Sequence, residues 1–279
     1  MTSSKVSIIV KAASYIVILS ACIVVIIPMI WFLSTSFKTF SDATSYPPDW
    51  RPKPATLSNY HFVLFGSNTP KYFFNSSFVV LMTILLTLLL ASHVAYAAAR
   101  FNFKLKNAIL FVILATTMIP GICILTSLYV IAVKAKMHDT YLVLILVFSA
   151  WQIPAQVWLL KGFFEGIPIE LEEAAKLDGV STLKIFYVIV LPLSKPGLAA
   201  GMILIFINVW NDWLISATLT ISEGMRLINV GLLDYIKDLG VDWGKFTSYA
   251  LIAIMPILVL FMVLQRHFIQ GLIAGATKG

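Results

Sequence analysis

Long apolar runs separated by short polar segments dominate this sequence. A helix that crosses the ~30 Å hydrocarbon layer of a membrane needs about 20 largely apolar residues. The runs predict six such helices, at residues 12–33, 73–99, 108–133, 142–160, 197–219 and 249–264. The first run follows Lys5 and Lys11, as the apolar core of a signal peptide would, but it is longer than such a core and no cleavage site follows it. We therefore predict a retained first helix, and an even number of spans places both termini on one side of the membrane.

Composition supports a membrane protein. Of the 279 residues, 59% are hydrophobic and 12% are charged, whereas soluble domains carry about 25% charged residues. Both a soluble enzyme and a disordered chain are thereby excluded. The net charge of +7 favours basic loops at a membrane surface over nucleic-acid binding, and the short Arg100–Lys106 loop favours a cytoplasmic N-terminus. Cys22 and Cys123 lie in apolar runs without metal-ligand spacing, so we predict two buried apolar side chains.

Three of the segments between the predicted spans are long. Residues 36–71 contain five prolines, which exclude a regular helix and favour an ordered loop at the membrane interface. Residues 220–248 carry apolar positions at helical spacing, which predict a short amphipathic helix on the bilayer or on a partner. These positions are Ile228, Leu232, Tyr235 and Leu239.

The segment at about 165–192 is polar and is patterned as two short helices. Pro168 suits the first turn of a helix, and the three glutamates that follow it suit the positive end of the helix dipole. Gly179 is typical of the left-handed residue that follows a helix. Ser181 suits the N-cap of a second helix, which we expect to end before Pro192. By charge pattern alone, a solvated hairpin without a special role is the simpler interpretation.

The spacing within this segment is more specific than its charge. Three residues separate Glu173-Ala174-Ala175 from Gly179, and nine more precede Ile189, which is followed after one residue by Leu191-Pro192. This pattern resembles the EAA loop of permease subunits of ATP-binding-cassette importers. With Asp178 and Phe186 included, it resembles the carbohydrate branch of that superfamily, of the maltose-permease type. Further segments extend the resemblance over essentially the whole chain: Leu57-Ser58-Asn59-Tyr60, Trp210-Asn211-Asp212-Trp213 and Gly271–Gly279.

The resemblance implies a single all-α membrane domain over residues 1–279, with six transmembrane helices, both termini in the cytoplasm and the type I importer permease fold. In this family the EAA loop is cytoplasmic, and its first helix docks in a groove of the ATPase. The residues that correspond to this docking element are Glu173, Ala174, Ala175, Asp178 and Gly179. Glu173 is the expected charged contact, and the C-terminal tail, Gly271–Gly279, resembles tails that run towards the ATPases.

The same resemblance implies the other components of the transporter. They are a second homologous permease, two ATP-binding-cassette ATPases and an extracytoplasmic solute-binding protein, in the lipid of the cytoplasmic (inner) membrane of a prokaryote. ATP and magnesium are expected on the ATPases, so no cofactor, metal ligand or catalytic residue is expected here. The sequence agrees, since Gly244-Lys245 is followed by Phe246 and lacks the upstream glycine of a phosphate-binding loop.

Polar residues inside the predicted spans are candidates for a substrate path, because they are costly in lipid. The candidates are Gln152, Asn208, Trp210, Asn211, Asp212 and Trp213. Amides and carboxylates bind sugar hydroxyls, and an indole ring stacks on a sugar ring. Helix–helix hydrogen bonding and an interfacial tryptophan belt also explain the same residues, and the residue types slightly favour that interpretation. We interpret His93, near the inner end of the second span, as an interhelical hydrogen-bonding residue.

The sequence leaves three alternatives to a sugar importer. An importer of the same design could carry glycerol phosphate, a polyol or an amino acid, although no Lys or Arg lies centrally in a predicted span to attract an anion. A secondary transporter would show inverted repeats and midplane carboxylates, and Asp212 is the one carboxylate in such a position. A membrane-bound enzyme would carry catalytic motifs, which the sequence lacks.

Overall fold

The structure, a computed structural model, describes residues 2–237 and 240–276 and is mostly helical. In chain order the α-helices are α1 (Thr2–Ser36), α2 (Phe40–Ala43), α3 (Ser58–Phe65), α4 (Thr69–Arg100), α5 (Lys106–Thr116), α6 (Gly121–Lys134), α7 (Tyr141–Glu165), α8 (Glu170–Leu177), α9 (Thr182–Ile185), α10 (Leu191–Leu193), α11 (Lys195–Asn211), α12 (Leu214–Leu219) and α13 (Trp243–Ala276). A π-helical turn spans Phe186–Val190, 3₁₀ turns span Glu223–Met225 and Val230–Tyr235, and a small antiparallel ribbon pairs β1 (Ile236–Lys237) with β2 (Gly240–Val241).

Contacts divide the chain into two units. The first comprises residues 1–70 and 232–254, and the second comprises residues 71–231 and 255–279. Within the described ranges, α1, α4, α7 and α13 each contain a continuous stretch long and apolar enough to cross a membrane. Two bent helix pairs pass the same test when each pair is taken together, so the described residues offer between four and six spans.

The first unit is held by buried polar contacts around Asn59, at the start of α3. The Asn59 side-chain amide, which is 6% exposed, donates hydrogen bonds to the carbonyls of Ser36, at 2.9 Å, and Lys38, at 2.8 Å. These bonds satisfy carbonyls at the C-terminal end of α1. A Cβ atom on Gly244 would lie 2.7 Å from the Asn59 Nδ2 atom, so α13 can approach this closely because residue 244 is glycine.

Two sequence predictions about the long connecting segments are wrong. Residues 36–71 do contain regular helix, since α2 and α3 form in the stretches on either side of Pro47–Pro54. The segment at 220–248 forms 3₁₀ turns and the ribbon instead of an amphipathic helix. Besides the bonds within these turns, part of its backbone bonds to side chains of α4: the Asn75 amide donates to the carbonyls of Gly224 and Arg226, and the Ser76 hydroxyl accepts from the Ile228 amide. Asp238 and Leu239 lie outside the described residues, as do Thr277–Gly279 of the tail.

The second unit packs α7 against α11 through glycines. A Cβ atom on Gly197 would lie 2.5 Å from the Phe163 ring, and one on Gly201 would lie 2.5 Å from the Gln156 Oε1 atom. Small residues of this kind let membrane helices approach closely, and dispersion contacts then hold them. A cluster of buried apolar side chains from α4, α7, α8 and the π turn lies at one end of this unit; it includes Tyr96, Phe164, Ala175 and Phe186.

Two predicted spans are not single helices. The predicted span 108–133 consists of α5 and α6, which are bent by 92°. Pro120 occupies the N-cap position of α6, where its missing amide hydrogen and its ring end the preceding helix. The predicted span 197–219 breaks after Asn211, because the Asp212 carboxylate accepts hydrogen bonds from the amides of Ile215 and Ser216 and thereby begins α12.

Both cysteines are exposed in the described chain, so the prediction of buried side chains is wrong. Cys22 lies on α1, whose most apolar 18-residue window is 0% buried inside the chain. An apolar side chain in a membrane helix can face lipid, so apolar surroundings in the sequence do not require burial within the protein. His93, by contrast, does bond between elements as predicted: its Nε2 atom lies 2.9 Å from the Tyr187 hydroxyl oxygen.

Candidate functional site

The helix α8 ends in the capping motif that its sequence predicts. Gly179 has a φ of +79°. Its amide donates to the Lys176 carbonyl at 3.0 Å, and the Val180 amide donates to the Ala175 carbonyl at 3.0 Å. These two bonds define a Schellman motif, in which glycine supplies the left-handed residue. The chain therefore turns sharply after α8.

The two faces of α8 differ. Glu173 and Ala174 are exposed, as are Asp178 and Gly179 immediately after the helix. Ala175 is 9% exposed and packs in the apolar cluster. Leu177 is 90% exposed, which places a large apolar side chain beside Glu173 on the outer face. The sequence motif thus divides into an exposed face and one buried alanine that packs the helix against the rest of the protein.

The second half of the segment continues past the predicted end. Ser181 takes the N-cap position of α9, although within the described residues its hydroxyl makes no capping hydrogen bond. The helix then runs through the π turn to Leu193. The Leu191 amide bonds to the Phe186 carbonyl, five residues earlier. Such a wider turn accommodates a residue without an amide hydrogen, so Pro192 lies inside the helix instead of after it.

A buried polar group beside α8 was missed by the sequence analysis. The Arg100 Nε atom, at the end of α4, lies 2.5 Å from the Glu172 Oε1 atom, and the Tyr96 hydroxyl donates to Glu172 Oε2 at 2.7 Å. The side chains of Arg100 and Glu172 are 9% and 2% exposed. The sequence shows three neighbouring glutamates, and only the fold distinguishes the inward Glu172 from the outward Glu173.

A cavity of about 400 Å³ lies among α6, α7, α11 and α12. Three of the predicted substrate-path residues, Gln152, Asn208 and Asp212, lie in its wall. The Asn208 amide donates to the Gln152 Oε1 atom at 3.2 Å. The sequence pattern does not single out the other wall residues, which are Thr117, Gly121, Leu125, Phe148, Trp151, Ala155, Leu214 and Ile215. Two of them, Thr117 and Gly121, lie at the α5–α6 bend, which the apolar pattern alone does not reveal.

The other three predicted residues lie outside this wall in the described structure. Trp210 is 2% exposed and packs against the rings of Phe73 and Phe206, at centroid distances of 5.4 and 5.3 Å. Asn211 is exposed and donates to the Ile207 carbonyl of its own helix. Trp213 is 47% exposed. Trp210 is therefore held as a packing residue, while Gln152 and Asn208 lie in the cavity wall.

The end of α12 is fastened by Asp139, in the loop before α7. The Asp139 carboxylate accepts hydrogen bonds from the amides of Ile221, at 2.9 Å, and Ser222, at 3.2 Å. Burial raises the pKa of Asp139, but the bonds from Ser222 and Ile221 outweigh it, so the pKa lies below its ordinary value. Asp139 thus remains charged near neutral pH and holds the segment that follows α12, next to the cavity wall.

Comparison with known proteins identifies the family. Residues 84–274 match the family described as "Binding-protein-dependent transport system inner membrane component". The chain belongs to this family. It is 32% identical to the sulfoquinovosyl glycerol transport system permease protein SmoH of Agrobacterium fabrum, over 90% of this chain and 88% of SmoH. It is 33% identical to the galactooligosaccharides transport system permease protein GanQ of Bacillus subtilis, over 95% of each chain.

The fold of this permease agrees with a solved structure of the same kind. A chain of a bacterial ABC transporter "involved in the import of the acidic polysaccharide alginate" superposes with a TM-score of 0.83 at 21% identity, covering 96% of this permease and 98% of that chain. The predicted ABC-importer permease fold is thereby confirmed. The chain is a non-enzymatic permease subunit, and its family works in an inner-membrane complex with ATPase and substrate-binding partners. Among the described residues, no group of three or more His, Cys, Asp or Glu could hold a metal ion.

Proposed function

We propose that this permease carries a neutral oligosaccharide or similar sugar across the cytoplasmic membrane of a prokaryote, and that α8 couples it to ATP hydrolysis. The permease pairs with a second, homologous permease and with two ATPase subunits. A solute-binding protein delivers the sugar from outside. Both termini and residues 165–192 face the cytoplasm, and ATP-driven closure of the ATPases moves α8 and opens the pathway outward.

One observation supports the coupling role: one face of α8 is buried against the protein and the other face is exposed. Its inner face is held by Ala175 and Glu172, whereas Glu173, Ala174 and Leu177 are exposed. An exposed Leu beside a carboxylate and a smooth alanine surface suits a groove that contains apolar and basic side chains. Charged contacts at such an interface contribute register and specificity more than affinity.

The class of cargo is supported by the cavity. The joined amides of Gln152 and Asn208 carry both donors and acceptors, the combination that hydroxyl groups require. The wall includes the Trp151 indole and the Asp212 carboxylate, and in the described residues it includes no Lys or Arg. A carboxylate without a neighbouring cation disfavours an anionic cargo. The relatives named for galactooligosaccharides and for trehalose, the latter SugB of Mycobacterium tuberculosis at 31% identity, support a sugar.

The coupling role is tested with Glu173→Lys in the complex reconstituted into vesicles with its binding protein. We expect ATP-dependent uptake to fall by about tenfold or more, because the reversed charge weakens docking, while the complex still forms. Glu165→Lys is the matched control, since Glu165 is an exposed glutamate at the end of α7. Uptake by Glu173→Lys at the parent rate would contradict the docking role.

The topology is tested independently with Leu177→Cys in a variant that lacks Cys22 and Cys123. A membrane-impermeant maleimide should label this cysteine in inverted vesicles and not in intact cells. Labelling from outside the cell would contradict the proposal as a whole. Uptake assays with neutral disaccharides, glycerol phosphate, polyols and amino acids then test the cargo, and selective uptake of an anion would contradict a neutral sugar.

A further inference from the structure

The coupling helix α8 is tied to a helix that is distant from it in sequence. Glu172 of α8 contacts Arg100 and Tyr96 of α4, more than 70 residues earlier in the chain. The chain itself connects α8 to α7 and α9 only, so tertiary contacts join it to α4: this polar contact, and the apolar cluster that contains Ala175 and Tyr96. Arg100 also donates from Nη2 to the Ile167 carbonyl at 2.8 Å, and thereby holds the connection that leads from α7 into α8.

The contact is built to keep one geometry. Both carboxylate oxygens of Glu172 are bonded, one to the Arg100 guanidinium and the other to the Tyr96 hydroxyl. The Tyr96 ring packs on the Phe186 ring, at a centroid distance of 4.8 Å, on the π turn that follows α9. Charge-assisted hydrogen bonds are short and directional, so α8, the π turn and the end of α4 are held in one register.

Burial makes this contact costly to separate. A buried ion pair contributes little net stability compared with apolar packing, but separating it leaves an uncompensated charge in a medium of low dielectric constant. When α8 moves, the end of α4 therefore has to move with it. Glu165 and Lys161, by contrast, pair across one turn of α7 with Glu165 half exposed, so that ion pair imposes no such constraint between elements.

From this geometry we propose that Glu172, Arg100 and Tyr96 are positioning residues that transmit the movement of α8 directly into α4. This proposal rests on the proposed coupling role of α8 and goes beyond it, because it assigns the route by which the force leaves the docking helix. In the docked complex, Glu173 contacts the ATPase and Glu172 contacts the permease, so adjacent glutamates act on opposite sides of the same helix.

The first experiment measures coupling in the reconstituted complex. For Glu172→Gln we expect the ATP hydrolysed per sugar imported to rise about tenfold, within the range typical of coupling between distant sites, while ATPase activity and the amount of assembled complex are retained. Glu165→Gln is the matched control and should keep the parent ratio. A parent ratio in Glu172→Gln overturns the proposal, as does a loss of ATPase stimulation together with uptake, which would assign Glu172 to docking.

The second experiment remains informative if Glu172→Gln fails to assemble. Phe103, just beyond α4, and Leu183, on α9, are 43% and 62% exposed and can carry paired spin labels in a complex that lacks Cys22 and Cys123. The distance between the labels should be the same with and without bound ATP. A shift larger than the width of the distance distribution overturns the proposal.

Tyr96→Phe completes the test, because it removes one hydroxyl and keeps the ring against Phe186. We expect a smaller rise in ATP hydrolysed per sugar than for Glu172→Gln, and an unchanged ratio counts against the role of Tyr96. Failure of the proposed function would appear differently: the parent complex itself would show no ATP-dependent sugar uptake. An active parent with an unaffected Glu172→Gln variant would overturn this proposal alone.

Discussion

The proposed coupling segment, residues 165–192, and the cavity both lie in the second unit and differ in their packing, although α7 contributes to both. At the coupling end, Phe164 and Phe186 are 0% and 1% exposed, and the charges of Arg100 and Glu172 are paired and buried. At the cavity, Asn208 is exposed and Trp151 is 40% exposed. The proposed roles call for this difference: a closely packed region beside α8, and a cavity wall in which some side chains are exposed.

The largest expected effect comes from truncating a buried side chain in the packed region. Phe186→Ala should lower the free energy of unfolding of the purified chain by about 3 kcal/mol, since truncating a buried Phe leaves a cavity. Trp151→Ala removes a larger but partly exposed side chain and should cost about 1 kcal/mol or less. Chemical unfolding in detergent measures both, and equal losses would contradict the contrast between the two regions.

The next effect concerns the cavity. Asn208→Leu should lower sugar uptake by about tenfold, which corresponds to about 1.4 kcal/mol of lost hydrogen bonding, without reducing assembly. Asn211→Leu is the control, because its amide bonds within its own helix and lies outside the cavity wall. Loss of the assembled complex in Asn208→Leu would instead identify the Gln152–Asn208 pair as helix–helix contacts.

A smaller effect on stability is expected from backbone strain in the coupling segment. Gly179→Ala should destabilise the turn after α8 by about 1 kcal/mol, because the left-handed φ strains any residue with a Cβ. Gly162→Ala, inside α7, should be neutral or stabilising by up to about 1 kcal/mol. In the described structure neither added Cβ would meet an atom within 4 Å, so the two variants differ only in backbone strain. Equal melting temperatures for Gly179→Ala and Gly162→Ala would contradict this prediction.

Asp139 provides the smallest effect and a dependence on pH. Its lowered pKa means that its bonds to the amides after α12 stabilise the fold above the ordinary carboxyl pKa and are lost as the pH falls through the lower folded value. Asp139→Asn should therefore lower the melting temperature by a few degrees at about pH 7, and by less near pH 3. A difference that grows on acidification would contradict this sign.

The sequence alone determined the features that depend on neighbours along the chain. Apolar runs predict membrane helices because lipid requires about 20 apolar residues per span, and the Gly179 turn follows from backbone sterics at one position. The spacing from Glu173 to Pro192 was sufficient to indicate the family. For the end of α8 and its cap, local preference and the final structure agree, whereas Pro168, predicted in the first turn, precedes the helix, whose N-cap is Ile169.

Tertiary structure alone decided the features that depend on distant contacts. It broke 108–133 into α5 and α6, replaced the expected amphipathic helix with turns bonded to Asn75 and Ser76, and carried Pro192 inside a helix through a π turn. The tertiary structure also decided which of Glu172 and Glu173 faces the protein. Helical periodicity shows that the two side chains point in different directions, but not which of them meets Arg100. Backbone and charged groups in a membrane protein must find partners within the protein, and those partners are set by the fold.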